Sequence, residues 1–107
     1  MRIKQVYVSS VVGSFRNRAY SEYNLSNYSD KNEPSIFFGC YQKDINRILA
    51  HDSLAVVVWR GGDGRHLKKG QEVYDKIFKR KNIKHIVISS FLAKDLDRCN
   101  VPYIFLP

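Results

Sequence analysis

The chain has 107 residues, of which 44% are hydrophobic and 26% are charged, and its formal net charge is +8. This length accommodates one domain with a single hydrophobic core, and the composition is typical of a folded globular protein rather than a disordered one. No apolar run approaches the roughly 18 residues of a membrane span, and no signal-peptide core follows the basic N-terminus. The two cysteines, Cys40 and Cys99, lack metal-ligand spacing, so we expect reduced thiols and a cytoplasmic location.

Segments of strand and helix character alternate along the chain. The strand segments are short, apolar and rich in β-branched residues, and they cover residues 6–12, 35–41, 54–59, 83–89 and 101–106. Apolar residues at helical spacing predict helices over residues 43–51, over residues 71–81 and after Ser90, which is the expected cap. This alternation indicates parallel strands joined by right-handed crossovers. We therefore expect an α/β protein, a small Rossmann-like three-layer fold with a mostly parallel sheet of about five strands.

Residues 13–34 form a long polar and aromatic stretch with no sustained period of helix or strand. Loops of this length are uncommon inside a compact domain. Two interpretations are open: a surface connection whose tyrosines cover the edge of the core, or a flap that faces a ligand or a partner. In both cases residues 1–107 are expected to form a single domain.

Every residue of the run Leu54–Trp59 is apolar, including those that would point to opposite faces of a strand, and this predicts a strand buried on both faces. It leads directly into the segment Arg60-Gly61-Gly62-Asp63-Gly64-Arg65, and ligands of open α/β sheets bind at the carboxyl ends of strands. Backbone N–H groups exposed by glycines, together with two guanidinium groups, suit phosphate oxygens. The glycines are also compatible with a purely structural turn, in which Asp63 would cap the loop backbone rather than orient a sugar hydroxyl.

Segments after the first and fourth strands are expected at the same edge of the sheet. The predicted ligand-binding residues are therefore Gly13, Ser14, Arg60, Gly61, Gly62, Asp63, Gly64, Arg65, Ser89 and Ser90. Helix capping is the alternative role for the two serines. His66 follows the glycine segment and is a weak candidate for a general base, whereas His51 and His85 are expected to be structural. No cluster has metal-ligand spacing, so we expect neither a metal nor a cofactor.

An ordered set of segments carries a family resemblance. They are Phe37-Phe38-Gly39-Cys40-Tyr41 with Asp44-Ile45, His51, Val57-Val58-Trp59-Arg60-Gly61-Gly62-Asp63, and Lys84-His85-Ile86-Val87-Ile88-Ser89-Ser90-Phe91-Leu92 with Asp95-Leu96. In this order they resemble the N-terminal domain of GT-B-type glycosyltransferases, especially the glycosyltransferase-like proteins of large DNA viruses. The similarity covers about residues 35–107.

The resemblance implies a Rossmann-like domain whose ligand is a nucleotide sugar or a glycan. GT-B enzymes contain two such domains, the second of which supplies most of the sugar-nucleotide contacts, and 107 residues hold one. The resemblance therefore implies a fragment, a relic domain, or a subunit that pairs with a second Rossmann-like domain or with another copy. Such a chain would supply the acceptor side of the cleft without catalysing transfer on its own.

The distribution of charge supports a different class of function. Residues 60–84 contain nine Lys or Arg and three acidic residues, and a basic segment of this kind attracts polyanions. The alternative is a small basic binding module for nucleic acid or another polyanion, without catalytic activity. Residues 68–84 would bind phosphates, and Tyr20, Tyr23 and Tyr28 would stack on bases. A solvated helix face and a scaffold domain are the remaining interpretations.

Overall fold

A computed structural model describes residues 3–10 and 25–106, apart from the side chain of Lys69. The described residues form one parallel sheet with the strand order β2-β1-β3-β4-β5-β6. Its strands are β1 (Gln5–Val8), β2 (Ser26–Asn27), β3 (Ser35–Phe38), β4 (Ala55–Trp59), β5 (Ile83–Val87) and β6 (Ile104–Phe105). The predicted α/β fold with a parallel sheet is confirmed, and β2 makes the number of strands six rather than about five.

Four α-helices and one 3₁₀ helix connect the strands in the described part of the chain. The 3₁₀ helix (Gln42–Asp44) precedes α1 (Ile45–Ala50), and α2 (Gly62–Lys69), α3 (Gln71–Phe78) and α4 (Ser90–Arg98) follow. Two predictions were wrong in detail. The glycine-rich segment is the first turn of a helix rather than a loop, and Ser89 rather than Ser90 caps α4. None of these helices is long and apolar enough to cross a membrane.

All four helices pack against one face of the sheet. The crossovers from β3 to β4, from β4 to β5 and from β5 to β6 all step in the same direction. Crossovers between parallel strands are right-handed, so three crossovers that step in the same direction place their helices on the same side of the sheet. Phe37, Val57 and Trp59 point from the strands into this core, where they meet apolar residues of every helix. A second, smaller cluster around Val6 and Val8 occupies the opposite face.

The parallel arrangement brings the carboxyl ends of neighbouring strands to one edge of the sheet. The sequence segments that follow β3, β4 and β5 meet at this edge, and we call them the rim (residues 39–41, 60–62 and 88–90). The segment after β1 would join the same edge. The predicted residues Gly13 and Ser14 lie in that segment, outside the described residues.

Two buried histidines fix the positions of neighbouring elements. His85 accepts a hydrogen bond at Nδ1 from the Trp59 indole N–H, at 3.1 Å between β5 and β4. His51 donates from Nε2 to the Leu54 carbonyl at 3.1 Å, so its Nδ1 accepts from the Tyr28 hydroxyl at 2.8 Å. Both imidazoles are thus neutral in the folded chain. Burial lowers the pKa of His51 and lowers that of His85 to about 4.

We predict that the protein loses stability as the pH falls from 6.5 to 4. The unfolded chain protonates His85 near pH 6.5, whereas the folded chain protonates it near pH 4, so added protons favour unfolding between these values. The expected loss from this residue is about 3 kcal/mol at pH 4. Urea unfolding at several pH values checks this, and His85→Gln should reduce the acid dependence, leaving the part that comes from His51. If the free energy of unfolding fell as steeply with pH in His85→Gln as in the unsubstituted protein, the prediction would be contradicted.

Candidate functional site at the carboxyl edge of the sheet

The carboxylate of Asp63 connects two segments of the rim. Asp63 is fully buried in the first turn of α2 and accepts hydrogen bonds from four backbone N–H groups. Two donors, Arg60 and Gly61, lie in the β4–α2 connection, and a third, Gly64, lies in the first turn of α2, at 2.8 to 3.1 Å. The fourth is Cys40, at 3.0 Å, in the segment after β3. The Asp63 side chain is therefore occupied by backbone donors from both segments.

Two glycines allow the chain to enter α2 in this geometry. Gly61 has a φ of +136°, in the region that side-chain-bearing residues rarely adopt. A Cβ on Gly64 would lie 2.8 Å from Oδ2 of Asp95 and 3.0 Å from a methyl group of Leu92. The missing side chain thus lets α2 approach α4 closely.

A surface depression of about 580 Å³ lies between the starts of α2 and α4. This is within the size range of small-molecule sites. It is lined by Gly61, Gly62, Arg65, Lys68, Ser89, Phe91, Leu92 and Asp95. Four of these, Gly61, Gly62, Arg65 and Ser89, were predicted from the sequence as ligand-binding residues. The structure brings them together from two separate strand ends.

The remaining predicted residues occupy other positions around the depression. Asp63 and Gly64 are buried beneath it, and Arg60 is half-buried and donates its backbone N–H to Asp63. Ser90 is exposed at the start of α4 but does not line the depression.

Ser89 forms the border of the depression on the α4 side. Its hydroxyl accepts a hydrogen bond from the backbone N–H of Leu92 at 3.3 Å, which is N-capping geometry. The first turns of α2 and α4 both border the depression, so the positive ends of two helix dipoles lie at this surface. Some of the first N–H groups are already bonded: those of Gly61 and Gly64 donate to Asp63, and that of Leu92 donates to Ser89.

Three charged side chains line the depression, and a fourth lies next to it. Asp95 is nearly buried, and its Oδ1 lies 3.0 Å from Arg98 Nη2 and 3.6 Å from Lys68 Nζ. These two cations offset the negative charge of Asp95. Arg65 is exposed and adds a further positive charge. The electrostatic environment of the depression is thus suited to an anion.

His66 points away from the depression, toward the segment after β3. Its Nδ1 accepts the backbone N–H of Gln42 at 3.2 Å, and its ring packs edge-on against Tyr41, with 5.2 Å between ring centroids. It is not among the residues that line the depression. In this arrangement His66 holds the 3₁₀ helix against α2, and the general-base role stays a prediction without a contact that supports it.

Cys40 and Tyr74 belong to the core beneath the rim. Burial, reinforced by Asp63 and Asp44, raises the pKa of the Cys40 thiol well above its ordinary value. The Tyr74 hydroxyl donates to the Cys40 carbonyl at 2.9 Å, and burial raises the pKa of Tyr74 as well. Cys40 and Cys99 are both free thiols. A thiol that stays protonated at neutral pH is a poor nucleophile, so Cys40 acts as a packing residue.

Sequence reasoning missed four residues of the depression, namely Lys68, Phe91, Leu92 and Asp95. Lys68 lies one helical turn after Arg65, so the signal appears once α2 is known to begin at Gly62. Leu92 and Asp95 are likewise three residues apart on α4. In the described part of the chain, no three His, Cys, Asp or Glu side chains are placed to hold a metal ion.

Comparisons with protein-family models, with curated proteins and with solved structures found no match to this chain. The resemblance to GT-B-type glycosyltransferases therefore stays a prediction from sequence motifs.

We predict that Asp63→Asn destabilises the fold by about 3 kcal/mol. The amide replaces one acceptor oxygen with an NH₂ group that faces backbone donors, and buried charge-assisted hydrogen bonds contribute about 1.5 to 3 kcal/mol each. Equilibrium urea unfolding measures the change. Asp52→Asn is the matched control, because Asp52 and its partner Lys31 are both more than half exposed, and it should cost less than about 0.5 kcal/mol. Equal effects of the two substitutions would contradict the role of Asp63.

Proposed function

We propose that this chain binds a phosphate-bearing ligand, a nucleotide sugar in particular, in the depression at the rim. One observation carries the proposal: two helix N-termini and the cations Arg65 and Lys68 border a single depression at the carboxyl ends of β4 and β5. Anions bind at helix N-termini because unpaired N–H groups and the helix dipole both favour negative charge. In parallel α/β sheets, this edge is where ligands bind.

The polar and apolar walls of the depression suit different parts of such a ligand. The guanidinium of Arg65 provides paired donors that match phosphate oxygens, and Gly61 and Gly62 at the start of α2 line the same depression. Phe91 is 79% exposed on the opposite side. An exposed aromatic ring next to a phosphate site offers a stacking surface for a base or a sugar ring.

The relation to glycosyltransferases is part of this proposal. Two of the segments that carry the resemblance, residues 57–63 and 84–92, contain the β4–α2 and β5–α4 connections that border the depression. We infer that the chain provides one wall of a cleft, in the manner of the N-terminal half of a GT-B enzyme. The other wall would come from a second Rossmann-like domain or another copy of the chain. Transfer activity by this chain alone is not expected.

A thermal-shift screen against UDP-glucose, GDP-mannose, dTDP-glucose and the free nucleotides tests the proposal. A ligand that binds the folded chain raises the unfolding temperature by mass action. We expect one nucleotide or nucleotide sugar to stabilise the protein at both 50 and 200 mM salt, since a partly enclosed site is screened less than an exposed surface.

Arg65→Gln should weaken this binding about tenfold, because a charge-assisted hydrogen bond contributes about 1.5 to 3 kcal/mol. Lys76→Gln removes the same charge from the exposed surface of α3 and should leave the affinity unchanged. The absence of stabilisation by every ligand, or equal losses in the two variants, would contradict the proposal.

A further inference from the structure

A second charged surface lies at the opposite end of β5 from the rim. It is a groove of about 520 Å³ between the end of α3, the first half of β5 and the segment that leads into β6. We call it the basic groove; it is lined by Phe78, Lys79, Arg80, Lys81, Ile83, Lys84, His85, Val101, Pro102, Tyr103 and Ile104. At about 3.3 Å per residue, the first residue of β5 lies about 13 Å from the last. The groove is therefore separate from the depression at the rim.

The groove is open because β6 is shorter than its neighbour. β6 pairs with Ile86 and Val87, and in the described part of the chain no strand pairs with residues 83–85 of β5 on that side. The chain reaches β6 through Val101 and Pro102, which form the far wall. A narrow open channel thus runs along the amino-terminal half of β5.

Four cations line this channel: Lys79, Arg80, Lys81 and Lys84. Among residues 3–10 and 25–106, no carboxylate lies within ion-pair distance of any of them. Arg80 is held in place, because its guanidinium donates to the His51 carbonyl at 3.1 Å and to Asn82 Oδ1 at 3.2 Å. The lysines at 79, 81 and 84 are exposed.

The opposite wall of the groove is apolar and aromatic. Tyr103 is half-exposed, and the carboxylate of Asp97, the acidic group at this wall, raises the pKa of its hydroxyl. Ile104 is 56% exposed beside it. The groove thus has several cations along one wall and an aromatic ring on the other. Sequence-independent binding of single-stranded nucleic acid uses these two elements. Cations contact successive phosphates, and bases stack on aromatic rings.

We infer that the basic groove binds single-stranded nucleic acid, with phosphates on Lys79, Lys81 and Lys84 and a base against Tyr103. This site is independent of the proposed function at the rim, and either site can be present without the other. Tyr20 and Tyr23, which the sequence offered as stacking residues, lie outside the described residues. Tyr28 lies within the core contacts of Phe37 and His51. Tyr103 takes the stacking role in this inference.

Fluorescence anisotropy with labelled U₁₂ and dT₁₂ at several salt concentrations tests the inference on the whole chain. Replacing Lys79, Lys81 and Lys84 together with Gln should weaken binding by at least about tenfold. It should also lower the magnitude of the slope of log affinity against log salt by about 2. The control variant replaces Lys4, Lys43 and Lys94, which are exposed and outside the groove, with Gln. The control has the same net charge and should keep both the affinity and the slope.

Tyr103→Ala should weaken binding about tenfold with little change in the salt slope, and Tyr103→Phe should retain the affinity because stacking does not need the hydroxyl. Three results would overturn the inference: no binding at 50 mM salt, equal losses in the two lysine variants, or an unchanged affinity in Tyr103→Ala. If heparin displaced the labelled oligonucleotide as effectively as unlabelled U₁₂ does, the groove would be a general polyanion surface instead. Nucleotide-sugar binding at the rim should be unaffected in all of these variants.

Discussion

The rim depends on one buried carboxylate. Asp63 accepts backbone N–H groups from Cys40, Arg60, Gly61 and Gly64, and it thereby joins the segment after β3 to the start of α2. A helix that begins Gly-Asp-Gly has a poor intrinsic propensity, because each glycine costs about 1 kcal/mol relative to alanine. The hydrogen bonds of Asp63 and the complete burial of Leu67 offset that cost and hold the start of the helix in position.

The two ends of β5 carry surfaces with different electrostatic character. At the rim, Lys68 and Arg98 offset the charge of Asp95, and the positive ends of two helix dipoles border the depression. In the basic groove, the described lysines have no acidic partner and the positive charge is open to solvent. A small ligand with a compact phosphate group fits the first surface, and an extended polyanion fits the second. Binding at the groove should therefore depend far more strongly on salt.

Much of the fold could be predicted because its core strands are apolar and its helices have periodic apolar faces, as in β4 and α4. Four residues that line the candidate depression could be proposed from the sequence, because Gly61, Gly62, Arg65 and Ser89 follow strand ends and parallel strands bring such residues together. Helix α2 escaped prediction because glycines at its start obscure the helical pattern, and one of the contacts that hold this start, from Cys40 to Asp63, is tertiary. Phe91 and Asp95 join the depression through the packing of α4 on α2, a relation that a single sequence does not display.

The most direct test of the site at the rim is an NMR titration of the ¹⁵N-labelled protein with UDP-glucose, GDP-mannose and dTDP-glucose. Each backbone amide reports its own surroundings, so the spectrum locates the ligand without a substitution. The account predicts concentration-dependent shifts at Gly61, Gly62, Arg65 and Ser89, with little change at residues 79–84. Shifts confined to residues 79–84, or a spectrum that none of the three ligands changes, would contradict it.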